Sequence, residues 1–161
     1  MIDVIKVGMA DLKVTKAPNT LITLGLGSCV GIAIYDVNRQ IAGLAHIMLP
    51  DSQQIRNNTN KAKFADSAMK MLLEELMRVG AQKSKMTAKI AGGAQMFSMD
   101  SQSDMMKIGS RNTEATKDLL SKHSIPLLAE DTGGNYGRTI EIFPESGALI
   151  VKTIGKGRKE L

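Results

Sequence analysis

The spacing of apolar residues changes period along the chain. Residues 2–8 (I-D-V-I-K-V-G) alternate and predict a strand. Residues 20–25 and 29–36 predict two more, separated by a glycine-rich turn, and residues 41–49 (I-A-G-L-A-H-I-M-L) predict a fourth, stopped by Pro50. The polar stretch 51–60 reads as a surface loop. The period then lengthens. Phe64, Ala65, Ala68, Met69, Leu72, Leu73, Leu76 and Val79 recur at helical spacing and form one apolar stripe, predicting a helix over about 61–79, with Asn60 as its cap and Gly80 as its stop. Residues 87–92 predict a short strand. Residues 112–122 predict a second helix, capped by Asn112, with Ala115, Leu119 and Leu120 facing inward. Strands follow at 125–130, 138–143 and 147–154, the last two joined by F-P-E-S-G. Strands outnumber helices, so the predicted fold is α+β: a sheet-rich single domain with two main helices packed on β-sheet.

Composition refines this picture. A chain of 161 residues, 43% apolar and 23% charged, suits one domain spanning 1–161, with a basic, frayed tail at about 155–161. Aromatics are 3% and Met numbers 11, so the core is expected to be aliphatic and methionine-filled. One cysteine excludes an intrachain disulfide and fits a reducing compartment. The N-terminus carries charge early, and no apolar run approaches the ~18 residues of a membrane helix. A cytoplasmic protein, not membrane-embedded, is expected. The net charge of +5 concentrates in K-A-K (61–63), K-S-K (83–85) and K-G-R-K (156–159). These read as solvated lysines. A nucleic-acid binder is the outside alternative, without the interleaved aromatics such binders use, so no nucleic-acid partner is expected.

The candidate chemistry centres on Cys29, which ends the turn T-L-G-L-G-S-C. If the hairpin 29–36/41–49 has its two-fold centre between Val37 and Asn38, then Ile34 faces Ile41, Ala33 faces Ala42, and Cys29 faces His46. Directly opposite Cβ atoms lie about 4.5–5.5 Å apart. An odd loop or a bulge near Gly31 or Gly43 slips that register. An imidazole and backbone N–H groups favour the thiolate, the form that attacks. Gly25, Gly27 and Ser28 precede the thiol and can turn N–H groups toward one point, as an oxyanion hole requires. The hydroxyl or carbonyl of Thr23 is placed to accept the imidazole N–H, whereas Asp36 lies at the far end of the hairpin. Equally, a lone Cys in an apolar strand is often inert core, and a lone His is often only hydrogen-bonded. On pattern alone both readings stand.

A resemblance adds to this. T-L-G-L-G-S-C-V-G-I-A-I-Y-D with A-H-I-M-L-P, K-I-A-G-G-A-Q-M-F (89–97), I-G-S-R-N (108–112) and D-T-G-G-N-Y-G-R-T-I (131–140) resemble the CheD family of bacterial chemoreceptor glutamine deamidases, in the family's order over nearly the whole chain. The resemblance implies a cysteine hydrolase that converts selected glutamines of methyl-accepting chemotaxis receptors to glutamates, releasing ammonia. It implies a triad of Cys29, His46 and Thr23, and a fold like the catalytic domain of cytotoxic necrotizing factor. It also implies binding to CheC, a phosphatase of the chemotaxis response regulator. The runner-up is a binding module whose main work is to engage CheC. No metal or cofactor is expected, since one Cys and two His make a poor ligand set.

Other residues carry less. G-G-N-Y-G-R (133–138) lacks the Lys-Ser/Thr of a phosphate loop and reads as a tight turn. Gly92 and Gly93 read as positions of close backbone approach. His123 reads as structural, its charged form suited to a helix C-terminus. Met96, Phe97, Met99, Met105 and Met106 form an apolar cluster that is either core or an adaptable docking surface.

Overall fold

A computed structural model describes residues 2–96 and 107–161. It has three layers: two five-stranded sheets stacked face to face, and two helices on the outer face of one of them. The first sheet runs β1 (Val4–Lys6), β3 (Thr20–Leu26), β8 (Arg138–Ile142), β9 (Leu149–Thr153), β10 (Gly157–Glu160). The second runs β2 (Asp11–Lys16), β5 (Ile41–Ile47), β4 (Val30–Asp36), β6 (Thr87–Gly92), β7 (Leu127–Thr132). The helices are α1 (Ala65–Arg78) and α2 (Ile108–Lys122). The sheet-rich α+β expectation holds.

This layering explains the sequence of the middle strands. β4 and β5 are buried at every position, because the first sheet covers one face and the helices the other. Such strands are apolar throughout rather than alternating. Their two faces feed separate cores. Val30, Ile32, Ile34, Ala45 and Ile47 pack under α1 with Met69, Leu72 and Leu76. Ala33, Tyr35, Ala42 and Leu44 pack between the sheets with Leu21, Leu26, Ile140 and Ile142, and Cys29 belongs to this inter-sheet core. The predicted α1 stripe is the observed one.

Several expectations are corrected. Two strands go unpredicted. β2 (D-L-K-V-T-K) carries lysines because it is an edge strand, bonded only to β5. The basic tail is not frayed: β10 pairs with β9, Gly157 opposite Thr153 to Glu160 opposite Ile150. Asn60 does not cap α1. The helix starts after Phe64, and Asn60 Oδ1 accepts from the Ala62 N–H one turn earlier. Nor does Asn112 cap α2, which begins at Ile108 and buries Gly109, Asn112, Thr113, Thr116 and Leu120. That face keeps the helical period but is mostly polar, so a search for apolar residues misses its first turn. Of the Met-rich cluster, Met96 is exposed, and Phe97, Met99, Met105 and Met106 lie outside the described residues.

The loop 51–60 is less free than predicted, for the Ser52 N–H and hydroxyl both donate to the Asp66 carboxylate, at 3.0 and 2.7 Å. Among the described residues no helix is long and apolar enough to cross a membrane.

Candidate active site

His46 sits on β5 two residues beyond Leu44, and so faces the inter-sheet space. The hairpin register differs from the predicted one. The connection is four residues long, Val37–Gln40, centred between Asn38 and Arg39. It is closed by Asp36 opposite Ile41, by Asp36 Oδ1 accepting from the Arg39 N–H at 3.3 Å, and by Gln40 at φ 54°. His46 therefore pairs with Gly31, not Cys29. A shift of two positions keeps the face. Cys29, two residues before Gly31, is diagonal to His46 on the same side of the sheet, a relation that spans about 7–8 Å between backbones and lies within reach of an imidazole. Gly31 brings no side chain between them.

Thr23 comes from the opposing sheet. It is fully buried on β3, just before a bulge between Thr23 and Leu26 where Gly25 takes φ 71°. Its hydroxyl lies 2.7 Å from His46 Nδ1 and 2.7 Å from the Val7 carbonyl oxygen. A carbonyl only accepts, so the single hydroxyl proton goes to Val7. The hydroxyl must then accept from the ring, which assigns the proton to Nδ1. His46 Nε2 is left as the bare, basic nitrogen, and it is buried without a hydrogen-bond partner among the described residues. A buried nitrogen with an open lone pair is poised to take a proton.

The electrostatics agree with a neutral resting pair. Burial holds the His46 pKa below its ordinary value. Burial likewise pushes the Cys29 thiol up, opposed in part by the residue's own backbone N–H. Cys29 is 8% exposed against 1% for His46, so the thiol is the member nearer solvent.

The turn before Cys29 is fixed by its carbonyls. Gly27 O accepts from the Ala94 N–H and Cys29 O from the Gly93 N–H, each at 2.8 Å. The segment can lie this close only because residues 92 and 93 are glycine. A Cβ on Gly92, at φ 113°, would stand 2.3 Å from Cys29 O, and one on Gly93 would stand 2.0 Å from Thr113 Oγ1. Of the predicted oxyanion donors, the Gly27 N–H is occupied, donating to Gly25 O at 3.1 Å. The Ser28 and Cys29 N–H groups donate to no turn or loop carbonyl among the described residues; the Cys29 N–H lies by its own sulfur, where it partly offsets the rise of the thiol, which leaves these two for a developing oxyanion.

Sequence reasoning misses Asn112. It is fully buried, and its Nδ2 donates to Ser28 O at 3.0 Å and Met48 O at 2.9 Å. The one available signal is its place in I-G-S-R-N. The expected tight turn at 133–138 is present between β7 and β8, with Gly133 and Gly134 at positive φ. The flanking strands are joined by a buried ion pair, Arg138 Nη2 to Asp131 Oδ1 at 3.1 Å, and Lys159 Nζ contacts the other oxygen of that carboxylate at 3.2 Å. His123 ends α2, but partial burial and the charges of Lys83 and Lys122 lower its pKa, against the charged form expected from the helix dipole. Among the described residues no three His, Cys, Asp or Glu side chains converge as metal ligands.

Known proteins resemble the chain closely. A family model described as CheD chemotactic sensory transduction matches residues 48–153, a span that begins past Thr23, Cys29 and His46. A "Probable chemoreceptor glutamine deamidase CheD" of Caldanaerobacter subterraneus subsp. tengcongensis is 58% identical over 97% of this chain and 96% of its own length. Another, of Lachnoclostridium phytofermentans, is 54% identical over 99% of both chains. A "Chemoreceptor glutamine deamidase CheD" of Halalkalibacterium halodurans is 54% identical over the whole of both chains. Among solved structures, a Bacillus licheniformis hypothetical protein, YfiH, superposes with a TM-score of 0.47 at 18% identity, over 78% of this chain and 51% of that one.

Proposed function

The chain belongs to the CheD family, and from that premise we propose that it is a cysteine-dependent deamidase of glutamines on methyl-accepting chemotaxis receptors. The observation that carries the reading is the bridge from Val7 O through the Thr23 hydroxyl to His46 Nδ1, which leaves Nε2 basic on the face that Cys29 shares.

The steps follow from those groups. The Cys29 thiol gives its proton to His46 Nε2, and the sulfur attacks the side-chain amide carbon of a receptor glutamine. The Ser28 and Cys29 N–H groups hold the oxyanion. Nε2–H then protonates the departing nitrogen, ammonia leaves, and a thioester remains. Nε2 next removes a proton from water, the hydroxide attacks the thioester carbonyl, and the carbon–sulfur bond breaks. Glutamate is released and the thiol regains its proton. Thr23 keeps the ring in one tautomer throughout. A neutral imidazole suits the opening of each half-reaction, because the ring must accept a proton, from the thiol or from water, before it donates one.

Two finer expectations belong to the same proposal. One is a fold relationship to the catalytic domain of cytotoxic necrotizing factor. The other is association with the phosphatase CheC, which a stable complex in size-exclusion chromatography with purified CheC would support. The activity itself is tested by mixing the purified chain with a glutamine-bearing receptor cytoplasmic fragment and following amide-to-acid conversion by peptide mass spectrometry, with ammonia measured in parallel. Stoichiometric conversion at discrete glutamines is expected. No conversion across several receptors would overturn the proposal.

A further inference from the structure

We infer that Asn112 is a positioning residue that aims the oxyanion-binding N–H of Cys29. The inference rests on the deamidase reading above.

The argument begins with the peptide unit. Ser28 C=O and Cys29 N–H belong to one planar trans amide, so they point in opposite directions. A group that holds the carbonyl oxygen thereby sets the direction of the N–H. Asn112 Nδ2 holds Ser28 O at 3.0 Å, from a fully buried position in the second turn of α2. The preceding unit follows the same plan: Ala94 N–H holds Gly27 O, and this fixes the Ser28 N–H. Both donors are thus anchored through the carbonyl of their own peptide unit, one by backbone and the other by a side chain. A hydrogen bond at the carbonyl also polarises the amide and makes its N–H the stronger donor.

The second hydrogen of the same amide goes to Met48 O at 2.9 Å. Met48 lies two residues beyond His46 and is the position that the β4–β5 register places opposite Cys29, past the last paired residues, Val30 and Ile47. One amide therefore closes the open end of the hairpin that carries the nucleophile and the base. The orientation of that amide is forced, because both of its partners are carbonyls and only the nitrogen donates. Its oxygen has no partner among the described residues.

The test uses the full chain and Asn112→Ala, with Asn112→Ser, which keeps one donor, as the second variant should the first not fold. Three readouts are compared: kcat and KM for receptor-fragment deamidation, and the rate of Cys29 alkylation by iodoacetamide on its high-pH plateau. Alkylation forms no oxyanion. The expected result is a fall in kcat of about 10–100-fold, short of the loss of a whole oxyanion donor, with KM and plateau alkylation both within about threefold of wild type. A purely structural role would move alkylation and deamidation together, and that parallel fall would overturn the inference, as would an unchanged kcat. A wild type that fails to deamidate contradicts the deamidase reading instead, so the two failures are distinguishable.

Discussion

The Thr23 hydroxyl stands 2.7 Å from His46 Nδ1 while giving its own proton to the Val7 carbonyl. Two sheets meet at this contact, since Thr23 lies on β3 and His46 on β5. It settles the ring tautomer that any general-base role requires. Thr23→Val keeps the volume but removes the acceptor and strands a buried N–H. A stability loss of about 1–3 kcal/mol in urea unfolding is expected, with a fall in kcat on the order of 100-fold. Thr23→Ser restores the acceptor and most of both quantities.

Stability should be highest between the ordinary pKa values of the buried pair. The His46 pKa is lowered in the fold. As pH falls below about 6.5, the unfolded chain binds a proton that the folded chain does not. Stability is therefore lost until pH passes below the folded value. The Cys29 pKa is raised, so its contribution is complete below the ordinary thiol value of about 8.5 and is lost as pH rises above it. Urea unfolding against pH should show both slopes. His46→Gln should flatten the acid side and Cys29→Ala the alkaline side.

Gly92→Ala should damage the site from outside it. The added methyl would meet the Cys29 carbonyl at 2.3 Å, and the backbone there has φ 113°. Because the obstacle is backbone, no rotamer change relieves the clash. A loss on the order of 1–3 kcal/mol is expected from the conformation alone, with deamidation falling further as the nucleophile is displaced. Thermal melts and kcat report the two effects separately.

The Arg138–Asp131 pair separates stability from chemistry. Both side chains are buried, and Arg138 also donates to Gly92 O at 3.3 Å. Asp131→Ala leaves a buried guanidinium uncompensated, at a cost of about 3–5 kcal/mol. Lys159→Ala removes only the exposed partner of the same carboxylate and should leave the unfolding midpoint almost unchanged.

The legibility of this protein in its sequence follows the kind of contact involved. The α1 stripe was readable because Met69, Leu72 and Leu76 are apolar at helical spacing. The first turn of α2 was not, because Gly109, Asn112 and Thr113 face inward as small or polar groups that pack and hydrogen-bond. β4 and β5 were readable as strands, but their register depends on where the turn is centred, and nothing in the composition of D-V-N-R-Q separates a centre between Val37 and Asn38 from the observed one between Asn38 and Arg39, with Gln40 at positive φ. The shared face of Cys29 and His46 survived the error, since period two is unchanged by a shift of two. The Thr23–His46 hydrogen bond was legible as chemistry, a hydroxyl beside a ring N–H. Asn112 was not, because its partners are backbone carbonyls that carry no sequence signal.

The most direct measurement is receptor-fragment deamidation by wild type and Cys29→Ala side by side, read by intact and peptide mass over several turnovers. The account predicts amide-to-acid conversion by the wild type and none above background by the variant, with the variant still folded by its melting curve. A folded Cys29→Ala that converts the same glutamines at the wild-type rate would contradict it, and the thiol at the end of the glycine turn would then be core.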